Sequence, residues 1–173
     1  MTDISIRILG EDDWQVYREG RLRALKESPE GFAAKYEDEA AVDDQLWKDR
    51  VKRSSRLVAE QDGRPVGIAS VRLSDDLFEN ASEVFGLWVA ADLRGTGLAS
   101  RLVQEAAQVA TAHERGQLLY WVGTENARGV AFASSFGFRP TEYRRPMRVH
   151  SAGEEASQEA SSEEIALSLA LER

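Results

Sequence analysis

The chain has 173 residues, 42% of them hydrophobic, with no cysteine, two histidines and a formal net charge of -8. That composition excludes disulfides, thiolate metal sites and a cysteine nucleophile, the two histidines lie too far apart in sequence to suggest a zinc site, and the acidic balance argues against a nucleic-acid partner. The length suffices for one sizeable core and no Pro/Gly/Ser-rich linker divides it, so residues 1–173 read as a single domain.

The N-terminus MTDISIRILGEDDW has no basic start followed by an apolar run, and no stretch nears the roughly eighteen apolar residues of a membrane span. The expectation is a cytoplasmic protein without a membrane partner. Ile4, Ile6 and Ile8 alternate with polar residues, the period of a half-buried strand. Asp12 and Asp13 offer an N-cap to a helix through Trp14, Tyr17, Leu22 and Leu25, which Ser28-Pro29-Glu30-Gly31 ends. Phe32 to Ala41 reads as loop, and a second helix over Asp43 to Arg53 carries Leu46, Trp47 and Val51 on one side.

Arg56 to Glu60 and Val66 to Leu73 are two strands joined by Asp62-Gly63, a strong hairpin signal. A polar connection, Ser74 to Ala81, leads to the unbroken apolar run Val84 to Val89, which reads as a central strand buried on both faces. Gly86 within it weakens the ladder and suits a bulge. Arg94-Gly95-Thr96-Gly97-Leu98-Ala99 then opens a helix whose apolar period runs through Leu98, Leu102, Ala106, Val109 and His113. The first amides of a helix lack intrahelical partners and sit at the positive end of its dipole, and glycines let an anion approach the backbone, so this junction suits a phosphate or pyrophosphate. It matches neither GxxxxGK[ST] nor the GxGxxG dinucleotide fingerprint.

Leu118 to Val122 is another strand, parallel to Val84 to Val89 because a helix connects them. After the segment Asn126 to Phe138, Arg139 to Val149 is basic and extended, with Pro140 and Pro146 limiting its ladder bonds. Ser151 to Glu164 is acidic and serine-rich and reads as a solvated, flexible loop. Ile165, Leu167, Leu169 and Leu171 alternate with small or polar residues and close the chain as a half-buried strand, one that could pair across a homodimer.

RGTGLA resembles motif A of the GCN5-related N-acetyltransferases, [Q/R]xxGx[G/A] after the fourth strand, with Arg94, Gly97 and Ala99 in the defined positions. Asn126 to Phe138, an Asn opening a helix that ends in Gly137-Phe138, resembles the family's second signature. The resemblance implies a mixed α/β (α+β) fold: a mostly antiparallel sheet of six to seven strands with a central splayed parallel pair, flanked by about four helices. It implies acetyl-CoA as cosubstrate, its pyrophosphate on Arg94, Gly95, Thr96, Gly97, Leu98, Ala99 and Ser100, and its pantetheine along the backbone of Leu87, Trp88 and Val89. Asn126 and the position of Ala133 add contacts to it, and no metal is implied. The acceptor pocket falls near the first two helices, where Phe32, Tyr36 and Trp47 are candidate walls, although large aromatics at helical spacing also serve as core.

An alkyl ammonium near pKa 10.4 is only about one part in a thousand neutral at pH 7, so acetyl transfer to an amine gains from a base. Glu83 is the candidate, on the strand parity of Phe85, Leu87 and Val89, with Glu79 in the preceding loop as alternative. The family's tyrosine acid, seven residues after the Asn and four before the Gly, falls on Ala133, which cannot donate a proton. Ser134, about 100° around the helix, is the candidate replacement. The function expected is transfer of acetyl from acetyl-CoA to a primary amine of a small molecule or peptide; the alternative is an acyl-CoA-binding regulatory or sensing module with weak or no turnover. Arg144, Arg145 and Arg148 are candidates for recognising an acceptor carboxylate.

Overall fold

The computed structural model of the protein describes residues 3–29, 34–74, 78, 80–149 and 157–171. The alternating isoleucines form β1 (Ser5–Ile8), antiparallel to β2 (Ser55–Gln61). Asp62 and Gly63 both take positive φ, 54° and 74°, and make the two-residue turn into β3 (Arg64–Arg72), as their sequence predicts. β4 (Ala81–Val89), β5 (Gln117–Gly123), β6 (Arg139–Val149) and β7 (Ser157–Ala170) complete one seven-stranded sheet in the order β1-β2-β3-β4-β5-β7-β6. Only β4 and β5 pair in parallel; every other neighbouring pair is antiparallel.

Helices cover both faces. α1 (Trp14–Glu27) lies on β3 so closely that a Cβ on Gly20 would come 2.8 Å from Ile68 Cγ2, and α3 (Asp44–Arg53) packs beside it. On the opposite face α4 (Leu98–Ala112) presses Leu102 against Gly67, whose added Cβ would come 3.0 Å from Leu102 Cδ1. α5 (Ala127–Phe136) packs on β5 on that same face, with Gly129 against Val122. Leu98, Leu102, Val103 and Ala106 of α4 are buried against the sheet, the apolar stripe that the three-and-four spacing required.

Four local features differ from the sequence expectations. Asp13 does not cap α1 through its side chain: a 3₁₀ turn, Glu11–Asp13, precedes the helix, and Asp13 Oδ2 accepts from Gly10 N at 2.9 Å. The Phe32 to Ala41 loop contains a fifth helix, α2 (Tyr36–Ala40), with three acidic residues in its first turn. Its anchor is a buried ion pair, Arg50 Nη2 to Glu39 Oε2 at 2.9 Å, which no local periodicity could announce. The acidic stretch expected as a loop to Glu164 is strand from Ser157 onward, because β7 pairs with the basic β6 and sets Glu164 opposite Arg145. Finally, Ile165 to Ser168 offers no edge for pairing across a dimer, since there β7 lies between β5 and β6 and is paired on both sides.

Two irregularities in β4 shape the centre of the sheet. Ser70 faces Phe85 and Ile68 faces Trp88, so two residues of β3 span three of β4, and the extra residue sits at Gly86, whose φ is +62°. The bulge inverts the strand's alternation: Glu83 and Phe85 share a face with Trp88, and the expected parity with Leu87 and Val89 is overturned. Pairing with β5 runs only from Ala81 opposite Gln117 to Val84 opposite Tyr120, after which the strands part.

Candidate active site

At the end of β4 a 3₁₀ turn, Ala91–Leu93, leads into the glycine-rich turn. Gly95 and Gly97 both adopt left-handed backbone, φ +81° and +88°, and a Cβ built on either meets nothing within 4 Å. The cradle is therefore open toward solvent. Among the described residues the amides of Gly95, Gly97, Leu98, Ala99 and Ser100 donate to no backbone carbonyl, and the first bond of α4 is Arg101 N to Gly97 O at 3.1 Å. Fully buried Leu98 anchors the helix start from within, so the free amides project from a fixed mount. Free amides, an open glycine surface and the positive end of a 15-residue helix are what a pyrophosphate requires.

Arg94 does not point into that cradle. Its Nη2 donates to Ser28 Oγ at 2.8 Å and its Nε to Val89 O at 3.3 Å, while Trp88 Nε1 donates to the same Ser28 Oγ at 3.2 Å. Ser28 is the C-cap residue of α1 and is buried. The hydroxyl thus ties the phosphate-binding turn, the strand beyond the bulge and the end of α1 together. Sequence reasoning missed Ser28, reading it only as part of a helix stop. Thr96 Oγ1 is likewise turned inward, onto Leu93 O.

Beyond Val84 the β5-facing edge of β4 is unpaired, and Phe85, Gly86 and Leu87 are half-buried while Trp88 and Val89 are buried. The result is a slot between two strands of one sheet, running from the glycine turn toward Glu83. An extended chain with amide groups can add to such an edge as a further strand.

Glu83 sits where the slot closes, 4% exposed. Arg72 Nη1 lies 3.4 Å from its Oε2 and Arg145 Nη2 3.4 Å from its Oε1. Arg145 also pairs through Nε with Glu164 at 2.5 Å and stacks over Trp121, with Cζ 3.9 Å from the ring centroid. Glu83 is therefore a held carboxylate inside a charged network, not a solvated strand start. Of the three arginines suggested for carboxylate recognition, Arg145 is committed to Glu83 and Glu164.

On the other side of the sheet Asn126 caps α5, with Oδ1 accepting from Gly129 N at 2.9 Å. Ala133 is fully buried and Ser134 is exposed, so the two residues weighed for the acid position lie in opposite environments. A phenol overlooked in the apolar run of β5 is nearby: Tyr120 pairs with Val84 at the last rung before the strands part. Burial raises its pKa and keeps it a neutral donor. The signal was a lone hydroxyl in LLYWV.

Trp47 is fully buried, edge-on to Tyr17 at 5.7 Å, and belongs to the core rather than to a pocket wall. Tyr36 is half-buried with Lys26 Nζ 6.0 Å from its ring centroid. Phe32 and Glu79 lie outside the described residues.

The sequence profile of the acetyltransferase (GNAT) family matches residues 17–138. The chain belongs to the GNAT acetyltransferase family. Among curated proteins, an uncharacterized N-acetyltransferase of Methanocaldococcus jannaschii is 27% identical over 99 residues, 56% of this chain and 44% of that one. Another from Archaeoglobus fulgidus is 32% identical over 89 residues, 50% of this chain and 60% of that one. These matches therefore span about half the length of the relatives. The GNAT fold is equally plain among solved structures. Salmonella typhimurium yncA, solved with its cofactor acetyl-CoA, superposes with a TM-score of 0.68 at 20% identity, covering 99% of this chain and 95% of that one. A ribosomal-protein-alanine N-acetyltransferase from Brucella melitensis gives 0.65 at 21% identity, covering 96% and 99%. No helix among the described residues is long and apolar enough to cross a membrane.

Proposed function

We propose that the chain is an N-acetyltransferase that moves an acetyl group from acetyl-CoA to a primary amine. The observation that carries this reading is the continuity of three features: an open cradle of free amides at the start of α4, an unpaired strand edge leading from it, and a buried carboxylate where that edge ends. Acetyl-CoA supplies an acetyl group activated as a thioester. The residues of the chain do the rest. The amides of Gly95, Gly97, Leu98, Ala99 and Ser100 bind the pyrophosphate, and the β4 edge from Phe85 to Val89 orients the pantetheine. Glu83 takes the proton of the incoming amine, directly or through a water, so that its nitrogen can bond to the acetyl carbon as the carbon–sulfur bond breaks. The departing thiolate takes a proton from Tyr120, Ser134 or water.

The test measures thiol release from acetyl-CoA over a panel of amines, alongside calorimetry of acetyl-CoA binding. Turnover that falls about 10²- to 10⁴-fold in Glu83→Gln with unchanged cofactor affinity is expected for a general base. Thiol release that never exceeds background hydrolysis, with cofactor still bound, supports the sensing module instead. The observation in favour of that second reading is Ala133, an interior methyl where the family carries its acid.

A further inference from the structure

The face of the sheet under α1 and α3 carries a concentration of positive charge at odds with the net charge of the chain. Arg21 and Arg50 share one carboxylate, Glu39, and Arg72 is paired with Glu83. Arg56 is different. It is 3% exposed, and among the described residues no carboxylate pairs with it. Its Nε donates to Arg50 O at 3.1 Å and its Nη1 to Ser70 Oγ at 2.7 Å, while Nη2 has no hydrogen-bond partner among the described residues. The guanidinium lies between two rings, with Cζ 4.7 Å from the Tyr17 centroid and 5.4 Å from that of Phe85. Burial disfavours its charged form, the Tyr17 phenol opposes that, and Arg53, Arg21 and Arg50 add to it. A buried cation without a counter-ion is costly, and an anionic ligand would offset that cost.

Its position gives the ligand. Arg56 pairs with Ser70 on β3, and Ser70 pairs with Phe85 on β4, one residue before the bulge at Gly86. Arg56 itself stands two strands from β4, but its side chain reaches across β3 to the ring of Phe85, the residue next to the Gly86 bulge where the slot opens. Phe85, Gly86 and Leu87 are only half-buried, so the face is open at the bulge.

We infer that the acceptor is an amino acid or a similarly compact amino-carboxylate, whose carboxylate is bound by the Nη2 side of Arg56 while its amine is presented to the thioester at the Gly86 bulge. The inference rests on the acetyltransferase reading above. Ser70 and the Tyr17 and Phe85 rings hold the guanidinium planar and fixed, so a carboxylate meets a preorganised donor at little further entropic cost. A fixed guanidinium beside the bulge favours an acceptor that carries a carboxylate and disfavours diamines, which the acidic composition alone permits.

The experiment pairs each common amino acid with its decarboxylated amine as acceptors and compares kcat/KM in wild type, Arg56→Met and Arg56→Lys. At least one amino acid should exceed its decarboxylated partner by about 10- to 100-fold, the range of a charge-assisted hydrogen bond. Arg56→Met should bring that ratio close to one, mainly through KM, with acetyl-CoA affinity unchanged. If Arg56→Met does not fold, Arg56→Lys keeps the charge, loses the fork and should lower the ratio about tenfold. Decarboxylated amines that match or beat the amino acids overturn the inference, as does a preference that survives both substitutions. If no amine turns over, the acetyltransferase reading fails, and calorimetry of the same amino acids into the CoA complex decides the site separately. Binding lost in the variant supports it; no binding in wild type overturns it.

Discussion

Gly97 meets two requirements that no other residue type meets together. Its φ of +88° lies where a side chain costs about 1–3 kcal/mol, and the space above it is where an anion must approach the backbone. Gly97→Val is therefore expected to lower the melting temperature modestly and to weaken acetyl-CoA binding at least about tenfold by calorimetry; a folded variant with wild-type affinity removes the cradle as the cofactor site. Tyr120 and Ser134 divide the acid question. Loss of an acid typically costs about 10²- to 10⁴-fold, so whichever of Tyr120→Phe and Ser134→Ala slows kcat on that scale identifies the donor, and the exposed serine is expected to be the silent one. Tyr120→Phe has a second readout. Because burial raises the phenol's pKa, the stability linked to it is whole below about pH 10, its unfolded value, and is lost as pH rises through the folded value. The variant should accordingly resist alkaline denaturation, followed by circular dichroism, better than wild type.

The link between α1, β4 and the glycine turn is a single hydroxyl, Ser28 Oγ, which accepts from both Trp88 and Arg94. Ser28→Ala leaves an indole N–H and a guanidinium without that acceptor, and Arg94→Gln removes one of the same bonds, so the two changes share a partner and must not add. A double-mutant cycle on acetyl-CoA affinity is expected to give a coupling of about 0.5–1.5 kcal/mol; strict additivity would mean that the turn holds its shape without α1. How much of this was legible follows from the kind of signal each element carries. The β2–β3 hairpin, α4, α5 with its Asn126 cap, and the glycine cradle were written in local spacing. The bulge was legible as Gly86 but its consequence for Glu83 was not, because parity inverts only once the β3 register is known. α2 depends on the Glu39–Arg50 pair and the start of β7 on its basic partner strand, both contacts between distant residues. Arg56, Ser28 and the double engagement of Glu83 were invisible for that same reason.

At the scale of the molecule, the sheet is two half-sheets, β1 to β4 and β5 to β7, joined along the strands by four parallel rungs. A ligand laid into the slot adds backbone pairing where the protein has none. Amide exchange at Phe85 to Val89 and at Trp121 to Gly123 is expected to slow at least about tenfold when CoA binds, with little change in β2 or in the buried stripe of α4. At a hundred times Kd the ligand contributes about 2.7 kcal/mol, which for a chain of this size raises the melting temperature by about 5–10 °C. Slot amides that exchange alike with and without CoA would remove the strand-addition mode.

That narrow join also marks where the polypeptide is divisible. The turn at Glu114, which already holds a left-handed φ of 60° at the surface, separates a piece carrying β1 to β4 and α1 to α4 from one carrying β5 to β7 and α5. Cut there and fused to the halves of a split reporter, the pieces would reassemble through α4 packing, the four rungs and a few polar contacts such as Arg145 to Glu83, too little to hold at low concentration. Acetyl-CoA spans both, so the reporter signal should rise with its concentration and fall when Gly97→Val is built into the first piece, turning the seam of the sheet into a metabolite gauge.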